Sequence, residues 1–141
     1  GKEYSFVMNE DGLEAPEAQS NVESVLSAHP DANVFVGVGA GAMIGSNEAL
    51  LQKYGKGKIP ENVGGITTDV TEQQLNSLKA GNEAVRSIVG FEGSNEDTAK
   101  ACMKMYERIL SGEKFEGDDH NVYRTIKPIT TDNIDEILKG M

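Results

Sequence analysis

Two carboxylates are the residues of this chain best placed to do chemistry. Asp69 and Glu92 each follow closely on a stretch with the pattern of a buried strand, at residues 63–67 and 84–91. Because the carboxyl ends of parallel strands share one edge of a sheet, we expect both acids on the same rim. Such a pair permits general acid–base catalysis, or the binding of hydroxyl and amine donors. For Asp69, capping of the following helix is an equal alternative.

Catalysis lacks further support in the sequence. The chain contains no arrangement typical of an activated serine or cysteine, no lysine in an apolar stretch and no cluster of metal ligands. We therefore interpret the two acids as part of a binding site rather than of an enzyme.

A glycine-rich turn, entered from another predicted strand, leads into a helix. Helix N-termini present free backbone N–H groups, which can bind a small ligand. The glycine spacing of residues 37–45 is not G-x-G-x-x-G, and the next strand-end acid, Asp69, lies about 30 residues on rather than about 20. A nucleotide site is therefore disfavoured. Two interpretations remain, close helix–strand packing or a ligand loop formed by Gly39, Ala40 and Gly41.

The elements that position these residues alternate between strand and helix. Strand patterns occupy residues 4–8, 34–38, 63–67, 84–91 and 122–129, and helical patterns occupy about 15–29, 42–54, 71–81, 94–110 and the last residues of the chain. This alternation is typical of an α/β three-layer sandwich, a mostly parallel sheet with helices on both faces. Cys102 lies on the apolar stripe of the fourth helix, which predicts a buried and inert thiol. Phe91 is predicted to end its strand in a buried position.

The composition fits one soluble domain covering residues 1–141. The net charge is −10, with 13 basic residues scattered among 23 acids, which argues against nucleic acid as a partner. One cysteine and two histidines exclude a cysteine-based zinc site and a histidine-rich metal site. We expect no metal and no cofactor, and no stretch approaches the roughly 18 apolar residues of a membrane span.

Several spaced motifs resemble the C-terminal lobe of type I periplasmic sugar-binding proteins of ABC transporters. The motifs lie in the family's order and cover nearly the whole chain: Asn21–Asp31, which ends in Ala-His-Pro-Asp, then Gly41–Leu50, Leu78–Gly81, Ile109–Lys114 and Ile129–Leu138. The resemblance implies a flavodoxin-like lobe and a protein that is not an enzyme. It implies an extracytoplasmic solute-binding component of an ABC importer, periplasmic or extracellular, that closes two lobes around a small ligand, a sugar by analogy, and delivers it to a permease.

A lipoprotein anchor is compatible with that location. The alternative function is the effector-binding domain of a sugar-responsive LacI-type transcription regulator, because residues 58–63 are similar to a pattern of those repressors.

The resemblance also implies particular site residues. Asp69 matches the ligand-binding Asp of the family when counted back from Gly81. Where the family commonly has Asn-Asp, this chain has Gly39-Ala40-Gly41, so backbone N–H groups or a differently shaped ligand are expected there. Glu92 lies close to the position of a hinge glutamine. The predicted ligand-binding set is Asp69, Gly39, Ala40, Gly41 and Glu92.

The chain also departs from the family in its extent. It corresponds to most of one lobe and appears without that lobe's first strand and helix. We therefore expect an unpaired sheet edge and an exposed apolar stripe on helix 94–110, both of which are costly. We expect a homodimer to cover them, through exchange of this helix or by edge pairing, and only weak ligand binding by the isolated chain.

Overall fold

A mostly parallel sheet organises the fold. The computed structural model describes residues 3–91 and 93–139 and, within them, four strands: β1 (Val34–Gly37), β2 (Gly64–Thr67), β3 (Val85–Phe91) and β4 (Ile126–Ile129). The strand order is β1-β2-β3-β4, with β1–β2 and β2–β3 parallel and β3–β4 antiparallel. The predicted α/β class and the mostly parallel sheet are confirmed.

Helices connect the strands and build the core. The part of the chain that the structure describes has five: α1 (Ala15–Ala28), α2 (Ala40–Tyr54), α3 (Glu72–Ala80), α4 (Asn95–Leu110) and α5 (Ile134–Lys139). Side chains from α1, α2, α3 and α5 share one core with the strands, centred on the fully buried Met43, Leu50, Leu75 and Ile88. Burying side chains of this size stabilises the fold by about 1.5–3 kcal/mol each.

The opposite face of the sheet is open. Along β1 the burial alternates, with Phe35 in the core while Val34 and Val36 are 56% and 67% exposed. The helix cover predicted for both faces is realised on one, because α4 does not return across the sheet. Phe91, the last residue of β3, pairs with Ile126, the first residue of β4, so residues 93–125 leave and rejoin the sheet at the same end of these two strands. Helix α4 lies within the described residues, and none of its side chains is buried.

Three predictions tied to this region are wrong. Residues 4–8 form no strand, and Tyr4 and Phe6 are 88% and 85% exposed, because this segment pairs with none of the four strands of the sheet. The Cys102 thiol is exposed rather than buried, since the α4 stripe on which it lies has no cover. Phe91 is half-exposed rather than buried, because it lies on the open face of β3.

The last strand and two helix ends also differ from their predicted bounds. Of the predicted strand 122–129, only Ile126–Ile129 pairs, because the chain reaches the sheet edge there. Helix α2 begins two residues earlier than predicted, at Ala40. The cap of α3 agrees with the prediction: Thr71 is its N-cap, and Gly81, in the left-handed region, ends it.

Candidate functional site

The turn between β1 and α2 is held by side chains from the end of β2. Gly39 has a φ of +100°, a conformation that favours glycine, and its N–H donates to Thr68 Oγ1 at 3.2 Å. The Ala40 N–H donates to Asp69 Oδ2 at 3.1 Å. The structure thus brings together three of the predicted site residues, Asp69, Gly39 and Ala40, at the carboxyl edge of the parallel strands.

Asp69 caps helix α2, whereas the alternative interpretation of this residue predicted a cap on the following helix, α3. Its carboxylate accepts from the Ala40 N–H at the N-terminus of α2. Helix α3, which follows Asp69 in the chain, is capped instead by Thr71, whose Oγ1 accepts from the Gln74 N–H at 3.2 Å. Two N–H groups at the start of α2 are therefore satisfied within the chain. These two N–H groups are thus not free to donate to a ligand, and ligand binding by Asp69 stays a prediction.

Gly41 faces α1 and allows the two helices to pack closely. A Cβ on Gly41 would overlap the Leu13 carbonyl oxygen, and a Cβ on Gly45 would overlap that of Ala15. The glycine at 37 is similarly tight, since a Cβ there would lie 2.9 Å from the Met43 nitrogen. The packing interpretation of the glycines thus accounts for these three positions, and a ligand contact by Gly41 stays a prediction.

Sequence reasoning missed three side chains that stabilise the turn. Thr67 is fully buried and donates from Oγ1 to the Gly39 carbonyl at 3.4 Å. Gln74 is also buried, and its Nε2 donates to the Ala40 carbonyl at 3.4 Å. The third is Thr68, the partner of the Gly39 N–H. A signal for Gln74 was present, because Thr71-x-x-Gln74 has the spacing of a capping box.

Glu92, the remaining predicted site residue, lies outside the described residues. Its neighbour Phe91 stacks against a guanidinium, with the Arg124 Cζ 4.9 Å from the ring centroid. Just beyond, Ser94 and Asp97 form a capping box at the start of α4. The backbone hydrogen bond from Ser94, reinforced by its hydroxyl, lowers the pKa of the Asp97 carboxyl at the start of α4.

The chemistry of the site favours ligands that donate hydrogen bonds. Asp69 is exposed, and an ionised carboxylate offers about four lone-pair positions, of which the Ala40 N–H uses one. The adjoining side chains, Thr67 and Thr68, are neutral hydroxyls. Hydroxyl or ammonium groups therefore suit the site better than anions. Among residues 3–91 and 93–139 no group of three or more His, Cys, Asp or Glu side chains is placed to bind a metal.

No protein-family model matches the chain. A curated relative is the ABC transporter periplasmic-binding protein YphF of Escherichia coli (strain K12), which is 26% identical over 111 residues, or 77% of this chain and 32% of the relative. The chain therefore spans about a third of that relative's length.

Several solved structures of solute-binding proteins share the fold of this chain. GanP, a glucose-galactose binding protein from Geobacillus stearothermophilus, matches with a TM-score of 0.69 and 21% identity, over 86% of this chain and 39% of its own. A solute-binding protein from Agrobacterium vitis, bound with α-D-tagatopyranose, matches with a TM-score of 0.70 and 14% identity, over 94% and 42%. A 5-methylthioribose transporter solute-binding protein from Thermotoga lettingae gives 0.69 and 17%, over 90% and 37%.

These similarities confirm the resemblance from which the fold was predicted. The chain has the fold of part of a periplasmic solute-binding protein, and the proteins that it resembles are binding proteins of transporters rather than enzymes. They do not favour the transcription-regulator alternative. No helix in the described part of the chain combines the length and apolarity needed to cross a membrane.

Proposed function

We propose that this chain contributes one side of the ligand cleft in an extracytoplasmic solute-binding protein that serves an ABC importer. It would make up most of the C-terminal lobe as one domain and bind a small polyhydroxylated ligand, a sugar or a close analogue. The mechanism is closure of two lobes around the ligand, with no chemical step.

The observation that carries this proposal is the exposed Asp69 carboxylate at the carboxyl edge of β2. Its orientation is fixed by the Ala40 N–H, and the turn that supplies this N–H is itself braced by Thr68 and Gln74. A carboxylate held in one orientation can accept hydrogen bonds from adjacent hydroxyls with little loss of conformational entropy. Similarity to a protein named for glucose-galactose binding and to one whose structure holds bound tagatopyranose supports a sugar as the ligand.

The proposal extends to partners and location. An ABC permease would receive the ligand, and the site of action would be the periplasm or the outer surface of the cell, in keeping with the relative named as a periplasmic-binding protein. A lipid anchor remains compatible with that location. Self-association of the chain, predicted from its uncovered surfaces, completes the proposal.

A titration followed by backbone-amide NMR tests the ligand site. Neutral sugars, an amino sugar and a sugar phosphate are added at millimolar concentration to the chain and to Asp69→Asn. We expect weak binding, with shifts concentrated at Gly39, Ala40, Thr68 and Asp69, reduced several-fold in the variant because a neutral amide is a poorer acceptor than a carboxylate. The sugar phosphate should bind least.

An acid remote from the turn serves as the matched control. Glu61→Asn removes an exposed carboxylate from the loop before β2 and should leave the shifts unchanged. Shifts of equal size in Asp69→Asn, or shifts confined to other surfaces, would contradict the proposed site. Tight binding by the chain alone would contradict the requirement for a second lobe.

A further inference from the structure

Gln74 has one of the most deeply buried polar side chains in the described part of the chain. It lies on helix α3 beside the fully buried Leu75 and is itself only 2% exposed. Burying an amide is costly unless its polar atoms are hydrogen-bonded, and an apolar side chain of the same length would carry no such cost. The cost of this amide is therefore offset only by the groups that it binds.

The two ends of the Gln74 amide have separate partners. Thr71 Oγ1 accepts from the Gln74 backbone N–H at 3.2 Å, so the hydroxyl hydrogen of Thr71 is available to donate to Gln74 Oε1 at 3.0 Å. This second bond directs Nε2 the other way, where it donates to the Ala40 carbonyl at 3.4 Å. The orientation of the amide is thus set within α3 and not by the turn that it contacts.

Ala40 is held at both of its polar groups. Its N–H donates to Asp69 Oδ2, and its carbonyl accepts from Gln74 Nε2. The neighbouring Gly39 is held by Thr67 and Thr68, which directly precede Asp69 at the end of β2. Gln74 therefore ties the turn to a second element, α3, on the side of Ala40 opposite to the acid proposed to bind the ligand.

We propose that Gln74 is a positioning residue of the ligand site, which fixes the Asp69 carboxylate through Ala40 without contacting the ligand. The inference rests on the function proposed above, because it concerns the same carboxylate. Helix α3 is anchored in the core by Leu75 and Leu78, so the amide stands on a rigid support. If the Ala40 carbonyl were released, the turn and the carboxylate would both gain freedom, and a ligand would have to order them on binding.

The variant Gln74→Met tests the proposal, because it keeps the length of the side chain and removes the amide. We expect amide hydrogen exchange at Ala40 to rise several-fold. The dissociation constant of the tightest binder among D-glucose, D-galactose and D-ribose should also rise several-fold. Global stability should change little, since an apolar side chain of similar shape replaces a buried polar one, and urea unfolding measures it.

Three further variants make the result specific. Thr71→Val removes the hydroxyl that orients the amide and should reproduce the faster exchange at Ala40. Thr71→Ser keeps a hydroxyl and should restore the slow exchange. Leu75→Met changes a buried neighbour on the same helix without altering a polar group, and it should leave both the exchange and the sugar affinity unchanged.

Unchanged exchange at Ala40 in Gln74→Met would overturn the assignment. An equal effect of Leu75→Met would also overturn it, because the effect would then come from packing alone. Unchanged sugar affinity despite faster exchange would break the link to the ligand. Exchange is measured without sugar, so failure of the ligand site, seen as unchanged binding by Asp69→Asn or no binding of the three sugars, is distinguished from failure of Gln74 to hold the turn.

Discussion

The Asp69 carboxylate accepts a hydrogen bond from the Ala40 N–H, so that a residue at the end of β2 caps the helix that follows β1. The acid predicted to bind ligand is therefore also a structural cap. These roles are compatible because one oxygen of a carboxylate can accept from the backbone while further lone pairs face outward. It follows that a change at Asp69 should alter both stability and binding, and that the two effects can be separated by the choice of substitution.

Asp69→Ala should destabilise the fold by about 0.5–2 kcal/mol, the usual cost of losing an N-terminal cap. Asp69→Asn keeps an accepting oxygen and should cost less. Urea unfolding of both variants measures the difference, with Glu61→Ala as an exposed acid outside the turn. Equal stability of Asp69→Ala and the unmodified chain would mean that the bond to Ala40 contributes nothing.

Glu83 makes stability depend on pH. Its carboxylate accepts from Lys56 at 2.6 Å, Ser77 at 2.7 Å and Asn47 at 3.0 Å, and these bonds, that of Lys56 foremost, lower its pKa against the opposing effect of burial. A pKa lowered by folding gives stability that is present above the ordinary pKa of a glutamate and is lost as pH falls through the lowered value. We expect this contribution to disappear over the acidic range, below about pH 4.5.

The variant Glu83→Gln isolates that contribution. It should be less stable than the unmodified chain at neutral pH by about 1–3 kcal/mol, because Lys56 and Ser77 lose a charged acceptor. The difference should narrow as pH falls, and urea unfolding between neutral and acidic pH measures it. The same change at Glu61 should leave the pH profile unaltered, and a constant difference at every pH would refute the assignment.

Gly45→Ala should destabilise the protein although alanine is the better helix former. Replacing glycine within a helix normally gains about 0.5–1 kcal/mol. Here a Cβ would meet backbone atoms of α1, the Ala15 oxygen and the Gln19 nitrogen, which cannot move aside as a flexible side chain would. A loss of about 1–3 kcal/mol is expected from overpacking. Thermal unfolding measures it, and the exposed Glu48→Ala in the same helix should show no such loss.

Arg108 restrains the acidic loop that follows α4. Its guanidinium donates twice to the Glu113 carboxylate, at 2.7 and 2.9 Å, and once to the Asp119 carbonyl at 3.2 Å. Lysine cannot form this fork of donors. Arg108→Lys should therefore increase amide hydrogen exchange in residues 112–121 several-fold and leave the core strands unchanged. Lys104→Arg serves as the control, and unchanged exchange in the loop would show that the fork does not order it.

The sequence predicts the elements whose signals are local. The apolar runs of β1, β2 and β3 and the Thr71 and Gly81 boundaries of α3 lie within a residue or two of their predicted places. Alternating apolar residues at 4–8 did not suffice, because a strand must also lie alongside another strand, and the local pattern does not specify that pairing. The Ala40 N–H at the start of α2 is satisfied by Asp69, about thirty residues away, and no local pattern contains that information.

The candidate site likewise contains residues that the sequence predicts and residues that only the folded structure reveals. Asp69 was predictable from its place at a strand end, while its partner Ala40 became apparent only once β1 and β2 were adjacent. Thr67 and Thr68 carry no motif of their own. The exposure of Phe91 and Cys102 depends on the open face of the sheet and on the excursion of α4, which are properties of the assembled fold.

The chain leaves β3 and enters β4 at the same end of the sheet, and this arrangement has a consequence for engineering. Phe91 and Ile126 are partners in an antiparallel ladder, so the ends of the excursion that carries α4 lie side by side. A short hairpin turn can join such ends without altering the strand register. Residues 93–125 can therefore be replaced by a short turn, and the remaining chain defines a minimal scaffold into which other helices could be grafted.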